Sequence, residues 1–278
     1  MSQKIYVIED WLQKIIVDPI TKKKEINKKV KSHNNIIDAT VYLRNTLGWN
    51  EWRKGQNKFE SWLSNGEYRT QLKTNFTHEK QEISRVYKNF DLSGIIVDVG
   101  GSVGTLREFV SSNSKFVSVD PHRDPLSTVS EEKMTAYKCL NEPLNYIQAC
   151  SEFLPLETSS VDLVHMRSML DHVQVPDLAL IEAKRVLKKS GKIIIGIYLP
   201  RGKNNNFSFH HFIKENIRNC LNFIGFTKFT DYHTWHPTYE ALNKLISENG
   251  FEVIKEIWQS GWNNKVVYIE AKKIDNSI

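Results

Sequence analysis

The chain has 278 residues, of which 40 % are hydrophobic and 25 % charged, and its formal net charge is +6. This is the balance of a folded globular protein, and it excludes disordered, collagen-like and disulfide-scaffold classes. The apolar run Ile193 to Leu199 is broken by Gly196 and is far too short to cross a bilayer, and Met1 to Asp10 has no basic-then-apolar leader, so a cytoplasmic protein with no membrane contact is expected.

Residues 1–75 are rich in Lys, Asn and Trp and show no alternation of strand and helix; they read as a small N-terminal extension, partly helical. The lysine-rich stretch Lys22 to Lys31 is read as a solvated face, with a nucleic-acid backbone as the alternative partner. Trp49, Trp52, Phe59 and Trp62 recur at helical spacing, as packing anchors or as the lining of an entrance. The three cysteines, Cys139, Cys150 and Cys220, have no pairing or metal spacing and are read as small buried hydrophobes.

From residue 76 the pattern changes. Thr77 to Asn89 is predicted helical, with Ile83, Val86, Tyr87 and Phe90 on one side. Ile95 to Val99 is a buried strand, and a glycine turn leads into a helix over Thr105 to Ser112. Lys115 to Val119, Tyr146 to Ala149, Val161 to Met166 and Lys192 to Leu199 are further strands. Asp124-Pro125 reads as a cap with Pro at the first helical position. Pro176 to Lys189 and Thr238 to Glu248 are amphipathic helices. Phe251 to Ile257 and Lys265 to Ala271 are two strands joined by a loop too short for a crossover, hence antiparallel. The alternation predicts an α/β domain over 76–278: a doubly wound, mainly parallel sheet of seven strands, Rossmann-like, covered on both faces.

Asp98-Val99-Gly100-Gly101-Ser102-Val103-Gly104 sits where the first strand of this domain turns into a helix. Glycine admits positive φ and close approach of a ligand, and the N–H groups at the helix start can face a polar group. A second acid, Asp120, ends the next strand. Both acids fall at the carboxyl edge of the sheet, where such folds bind ligands, and an acid there can accept hydrogen bonds from ribose hydroxyls. A dinucleotide fingerprint begun at Gly100 would need glycine at 102 and 105, which are Ser102 and Thr105.

The turn instead resembles the acid-x-Gly-x-Gly-x-Gly motif of class I S-adenosylmethionine (SAM)-dependent methyltransferases of the type 11 kind, with Asp98, Gly100 and Gly104 matching and Ser102 in place of the middle glycine. Ala149 to Leu156 is similar to the family's adenine segment, with Cys150 where an aspartate is common. Val161-Asp162-Leu163-Val164, Asp171-His172-Val173 and Arg185-Val186-Leu187-Lys188 through Gly191 resemble the motifs that follow, in the family's order. The resemblance implies SAM as cofactor, held by Asp98, Gly100, Gly101, Ser102, Gly104, Asp120, Pro121, Ser151, Glu152 and Met166. It implies methyl transfer, and a small-molecule acceptor methylated on a hydroxyl oxygen is the leading expectation. RNA or protein acceptors, and a non-catalytic binding module on the same fold, are the alternatives.

Histidine suits removal of a hydroxyl proton. His172, beyond the fourth strand of the domain, and His233 and His236, in an aromatic and histidine-rich lid over about 200–237, are the candidate bases or positioning residues. His165, inside that strand, is expected to be a buried packing residue. His233-x-x-His236 lacks an accompanying cysteine or acid at ligand spacing, so no metal is expected. Ile15 to Lys22 resembles the start of a small ribbon domain found with methyltransferases. Asp18 stands at its cysteine position, which excludes a cysteine zinc site.

Overall fold

The computed structural model describes residues 6–24, 31–43, 49–65, 75–204, 213, 217, 233–259 and 265–274. Ten strands form one sheet. They are β1 (Tyr6–Val7), β2 (Lys31–His33), β3 (Ile36–Asp38), β4 (Ile95–Val99), β5 (Lys115–Asp120), β6 (Leu144–Gln148), β7 (Val161–Arg167), β8 (Leu187–Tyr198), β9 (Phe251–Gln259) and β10 (Val266–Lys273). The helices are α1 (Asp10–Ile15), α2 (Trp49–Asn65), α3 (Phe76–Tyr87), α4 (Glu131–Ala136), α5 (Pro176–Val186) and α6 (Tyr239–Glu248).

The strand order is β2-β3-β6-β5-β4-β7-β8-β10-β9, with β1 also on β6. From β3 to β8 every neighbouring pair is parallel, and β10 is antiparallel to both β8 and β9. The seven strands from β4 to β10 are the ones expected, including the antiparallel end. The sheet is larger because β1 and β3, from the first 40 residues, both pair in parallel with β6, and β2 closes a hairpin on β3.

Both faces of the parallel strands are covered, as their continuous apolar composition requires. On one face Val97, Val99, Val164, Met166 and Ile195 pack under Ala179, Leu180 and Ala183 of α5 and Leu242 and Ile246 of α6. On the other, Ile96, Leu163 and Tyr268 pack under Ile83, Val86 and Tyr87 of α3. Helix α3 starts where Asn75 accepts a hydrogen bond from His78 N at 3.0 Å, and α6 where Thr238 Oγ1 accepts from Ala241 N at 3.1 Å.

Three elements differ from expectation. The helix after the glycine turn is only a 3-10 turn, Thr105–Glu108. The Ser111 to Ser114 run that follows bonds locally and to the chain before β4, with Ser111 N donating to Leu92 O and Ser114 N to Ser111 O, instead of extending a helix. Helix α5 ends at Val186, because Leu187 already pairs with Val161 in the sheet. Pro125 does start a 3-10 turn, but Asp124 does not cap it; its carboxylate accepts from Tyr6 Oη at 2.6 Å instead.

Candidate functional site

The winding reverses between β4 and β7: β4, β5 and β6 run outward one way, β7 and β8 the other. The crevice at the carboxyl ends of β4 and β7 is where open α/β sheets bind ligands. Asp98, the glycine turn, Asp120, Arg167 and the Ser168 to Val173 loop all lie on this edge.

Gly100, Ser102 and Gly104 have φ of +71°, +45° and +72°. The left-handed backbone explains the glycines, and Ser102 adopts the same geometry against its side-chain preference. A Cβ on Gly100 would stand 2.5 Å from Met169 Cβ, and one on Gly101 2.5 Å from the Asp98 carboxylate. The turn is therefore pressed against both β4 and the loop after β7. Ser118 Oγ donates to Ser102 O at 3.0 Å, fixing the residue that departs from the motif.

Strand parity sorts β7. Met166 faces the main core and is fully buried, so its side chain packs there, away from the rim. Leu163, His165 and Arg167 face α3. His165 Nδ1 lies 2.6 Å from Asp98 Oδ1, and its Nε2 lies 2.9 Å from Tyr87 Oη. His165 is buried, as expected, and it also orients the motif acid.

A small cavity of about 70 Å³ opens here, lined by Asp98, Gly100, Gly101, Tyr137, His165 and Arg167 among others. Among the described residues no carboxylate forms a salt bridge with Arg167. Tyr268 Oη, close enough to act on Arg167, is buried without a hydrogen-bond partner among the described residues. Lys133 is a second cation nearby, its ammonium pulled down by burial. Sequence reading selected Met166 and missed Arg167 one position on; the signal was the alternation of β7 itself.

Asp120 is buried. Its Oδ2 accepts from Ser102 N at 3.1 Å and its Oδ1 from His122 N at 3.1 Å. Burial pushes its carboxyl up, against the opposing pull of His122 and of those two N–H groups. Pro121 O accepts from Gln148 Nε2 at 3.2 Å. The His122 ring packs on Phe59 of α2, with centroids 4.9 Å apart, so the extension reaches this rim.

Ser151 and Glu152 are both buried. Ser151 Oγ donates to Glu152 Oε2, and Glu152 Oε1 accepts from Gln174 N at 2.8 Å and Val175 N at 3.2 Å. Glu152 thus serves the orphan N–H groups at the start of α5. Burial pushes the Cys150 thiol well up, so it stays protonated. Tyr42, Trp49 and Trp52 form an aromatic cluster with centroids 5.5 to 5.9 Å apart, with Trp52 buried. Gln174 bonds both backbone groups of Leu43, at 3.2 and 3.1 Å, and so ties the extension to the loop after β7.

The predicted bases come together. His172 and His233 ring centroids are 4.2 Å apart, and His236 is 5.5 Å from His233. Asp171 sits beneath them: its Oδ1 is 3.9 Å from His172 Nε2 and its Oδ2 3.5 Å from His233 Nε2. Thr234 N and Trp235 N both donate to Asp171 O, at 2.9 and 3.3 Å. His210, His211, Phe207, Phe209, Phe212 and Phe226 of the predicted lid, and most of the Lys22 to Lys31 patch, lie outside the described residues. In the extension, Asp18 Oδ1 accepts from Ile20 N and Thr21 N, closing a local turn.

Residues 97–195 match the family model described as "Methyltransferase domain". Together with the seven-strand order and the acid-glycine turn, this decides the class. The chain carries a class I SAM-dependent methyltransferase domain. It is an enzyme, and SAM is its methyl donor. The residues present fit that donor: a cavity beside Gly100 and Gly101, an oriented Asp98, and a buried acid at the end of β5. The methyltransferase is 24 % identical over 248 residues to a protein named ubiquinone/menaquinone biosynthesis C-methyltransferase from Blochmanniella floridana, covering 86 % of this chain and 95 % of the relative. A relative of the same name from Pasteurella multocida is 28 % identical over 200 residues, covering 62 % and 70 %. In fold it is similar to the Burkholderia thailandensis 1,6-didemethyltoxoflavin-N1-methyltransferase, solved with 1,6-didemethyltoxoflavin and S-adenosylhomocysteine. The TM-score is 0.54 at 12 % identity, covering 85 % of this chain and 95 % of that one. Among the described residues no helix is long and apolar enough to cross a membrane.

Proposed function

We propose that the methyltransferase acts on a small hydroxylated acceptor and transfers the methyl group to oxygen. The observation that carries this reading is the convergence of His172, His233 and buried Asp171 on the loop pressed against the glycine turn. SAM supplies a methyl group already activated on a sulfonium, so the protein's task is alignment and proton removal. Asp98 and the Gly100 to Gly104 turn hold the methionine part, with Arg167 as the cation for its carboxylate. Asp120 and Pro121 hold the ribose side, and Ser151 and Glu152 border adenine through their backbone. His172, His233 and His236 position the acceptor's hydroxyl and take up its proton, with Asp171 stabilising the charge that results.

The names of the sequence relatives, C-methyltransferases, favour a second reading, transfer to carbon, and on this acceptor class we take that to be a ring carbon beside a hydroxyl. Deprotonating the hydroxyl activates that carbon too, so the same side chains serve. Labelled SAM with a panel of hydroxylated aromatic acceptors tests both. An O-methyl carbon resonance in the product supports the first reading and a C-methyl resonance the second. Unchanged turnover in His172→Gln, His233→Gln and His236→Gln would remove the assigned proton acceptors.

A further inference from the structure

The side chains gathered at Asp171 make a set that sequence spacing did not reveal. His172 is its chain neighbour, but His233 arrives from the segment before α6. The backbone bonds from Thr234 and Trp235 to Asp171 O, and from Thr234 Oγ1 to Asp171 O at 3.1 Å, hold the two loops together. The imidazoles are therefore placed by main-chain contacts independent of their own interactions.

The chemistry of the set is specific. One oxygen or nitrogen from each of Asp171, His172 and His233 lies within 4.8 Å of the other two. The carboxylate-to-imidazole separations are 3.5 and 3.9 Å. A tetrahedral ion with ligand bonds of about 2.0–2.1 Å has ligand-to-ligand edges of about 3.4 Å; the two separations, made by different oxygens of Asp171, lie within about half an ångström of that length, and the set as a whole, within 4.8 Å, closes on an ion by side-chain adjustment. Asp171 is 7 % exposed, and its Oδ1 is buried with no hydrogen-bond partner among the described residues. A buried carboxylate oxygen left so is costly, and a cation bound to it removes that cost. Two neutral imidazoles with one carboxylate are the donors of a borderline-soft divalent ion. His172 and His233 side chains are each 40 % exposed, so solvent and small solutes reach the imidazoles.

We propose that Asp171, His172 and His233 bind one divalent transition-metal ion of the zinc type. This deepens the acceptor-site reading above and rests on it only for the consequence, which is that an open position on the ion would take the acceptor's hydroxyl. A hydroxyl on such an ion gives up its proton to water more readily than a free one. His172 and His233 are then ligands, and the His236 ring lies 5.5 Å from that of His233.

The test uses the full chain, stripped of metal and titrated with Co²⁺ alone. The expected result is one Co²⁺ per chain, with visible d–d absorption of a low-coordinate site that Zn²⁺ displaces. His172→Gln and His233→Gln should each weaken binding by about tenfold or more. S-adenosylhomocysteine binding, measured by calorimetry on the same samples, reports whether each variant is folded. Absence of coloured uptake by the unaltered chain, or uptake undiminished in both variants, overturns the proposal. A chain that binds S-adenosylhomocysteine but no Co²⁺ sinks the metal site alone. One that binds Co²⁺ but no adenosyl ligand keeps the metal site and counts against the acceptor-site reading.

Discussion

His165 Nδ1 lies 2.6 Å from Asp98 Oδ1, across directly paired positions of β4 and β7. Burial keeps the Tyr87 phenol protonated, so its O–H donates to His165 Nε2, 2.9 Å away. The imidazole proton is thereby placed on Nδ1, where it donates to the motif acid. A relay of three side chains from α3 through β7 to β4 fixes which way the Asp98 carboxylate points. His165→Leu strands a buried acid and is expected to cost about 3 kcal/mol in urea unfolding. Tyr87→Phe keeps the packing and should cost about 1 kcal/mol. A loss under about 0.5 kcal/mol for His165→Leu would mean that Asp98 is held by other groups.

Arg167 carries a sharper expectation. If it pairs with the methionine carboxylate, Arg167→Met should weaken S-adenosylhomocysteine by about 10–100-fold, the range of a lost charged hydrogen bond. The same variant should leave 5′-methylthioadenosine, which lacks the amino-acid part, unaffected. Calorimetry on both ligands decides it. An equal loss for the two would mean that the substitution disturbs the whole pocket.

The raised carboxyl pKa of Asp120 gives the donor site a pH dependence. Ribose hydroxyls donate to the ionised form, so adenosyl-ligand affinity should rise with pH through a window above the ordinary aspartate range and then level off. Asp120→Asn should flatten that limb and lower the plateau. Stability of the free chain runs the other way. In that window the folded state binds more protons than the unfolded one, so this group's contribution to stability falls as pH rises. Affinity that is flat from pH 4 to pH 7 would mean that no carboxyl with a raised pKa governs adenosyl binding.

Gly100→Ala tests the contact between the glycine turn and the loop after β7. The added methyl meets Met169 Cβ at a φ that disfavours alanine. Overpacking and backbone strain together should cost about 2–4 kcal/mol in unfolding experiments. Cofactor affinity should fall with stability, because the same turn faces the cavity.

Much of the sheet was legible in the sequence. Five parallel strands and an antiparallel pair announce themselves by apolar runs of strand length between helical periods. Strands β1, β2 and β3, of two or three residues, carry no such signal, and the pairing of β1 and β3 is set by β6 more than 100 positions away, with β2 added as a hairpin on β3. The strand pattern put the glycine turn and both acids at the carboxyl edge of the sheet, and the resemblance to the methyltransferase motif supplied the role expected of them. Arg167 was not singled out because the predicted strand stopped at Met166, whose side chain points to the opposite face. The Asp171, His172 and His233 set was invisible as a set because His233 follows His172 by 61 positions, and the bonds of Thr234 and Trp235 to Asp171 O bring them together.

Tyr6 pairs with Leu144, and Ile37 with Ile147. Strands β1 and β3 are therefore synthesised more than 100 residues before β6, the strand on which both dock. At about 5–20 residues per second that delay is on the order of ten seconds. Throughout it the isoleucines of β3 and the aromatic ring of β1 stay uncovered. Until β6 arrives, β1 and the free side of the β2–β3 hairpin are strand margins open to other chains, which makes that interval a hazard for aggregation.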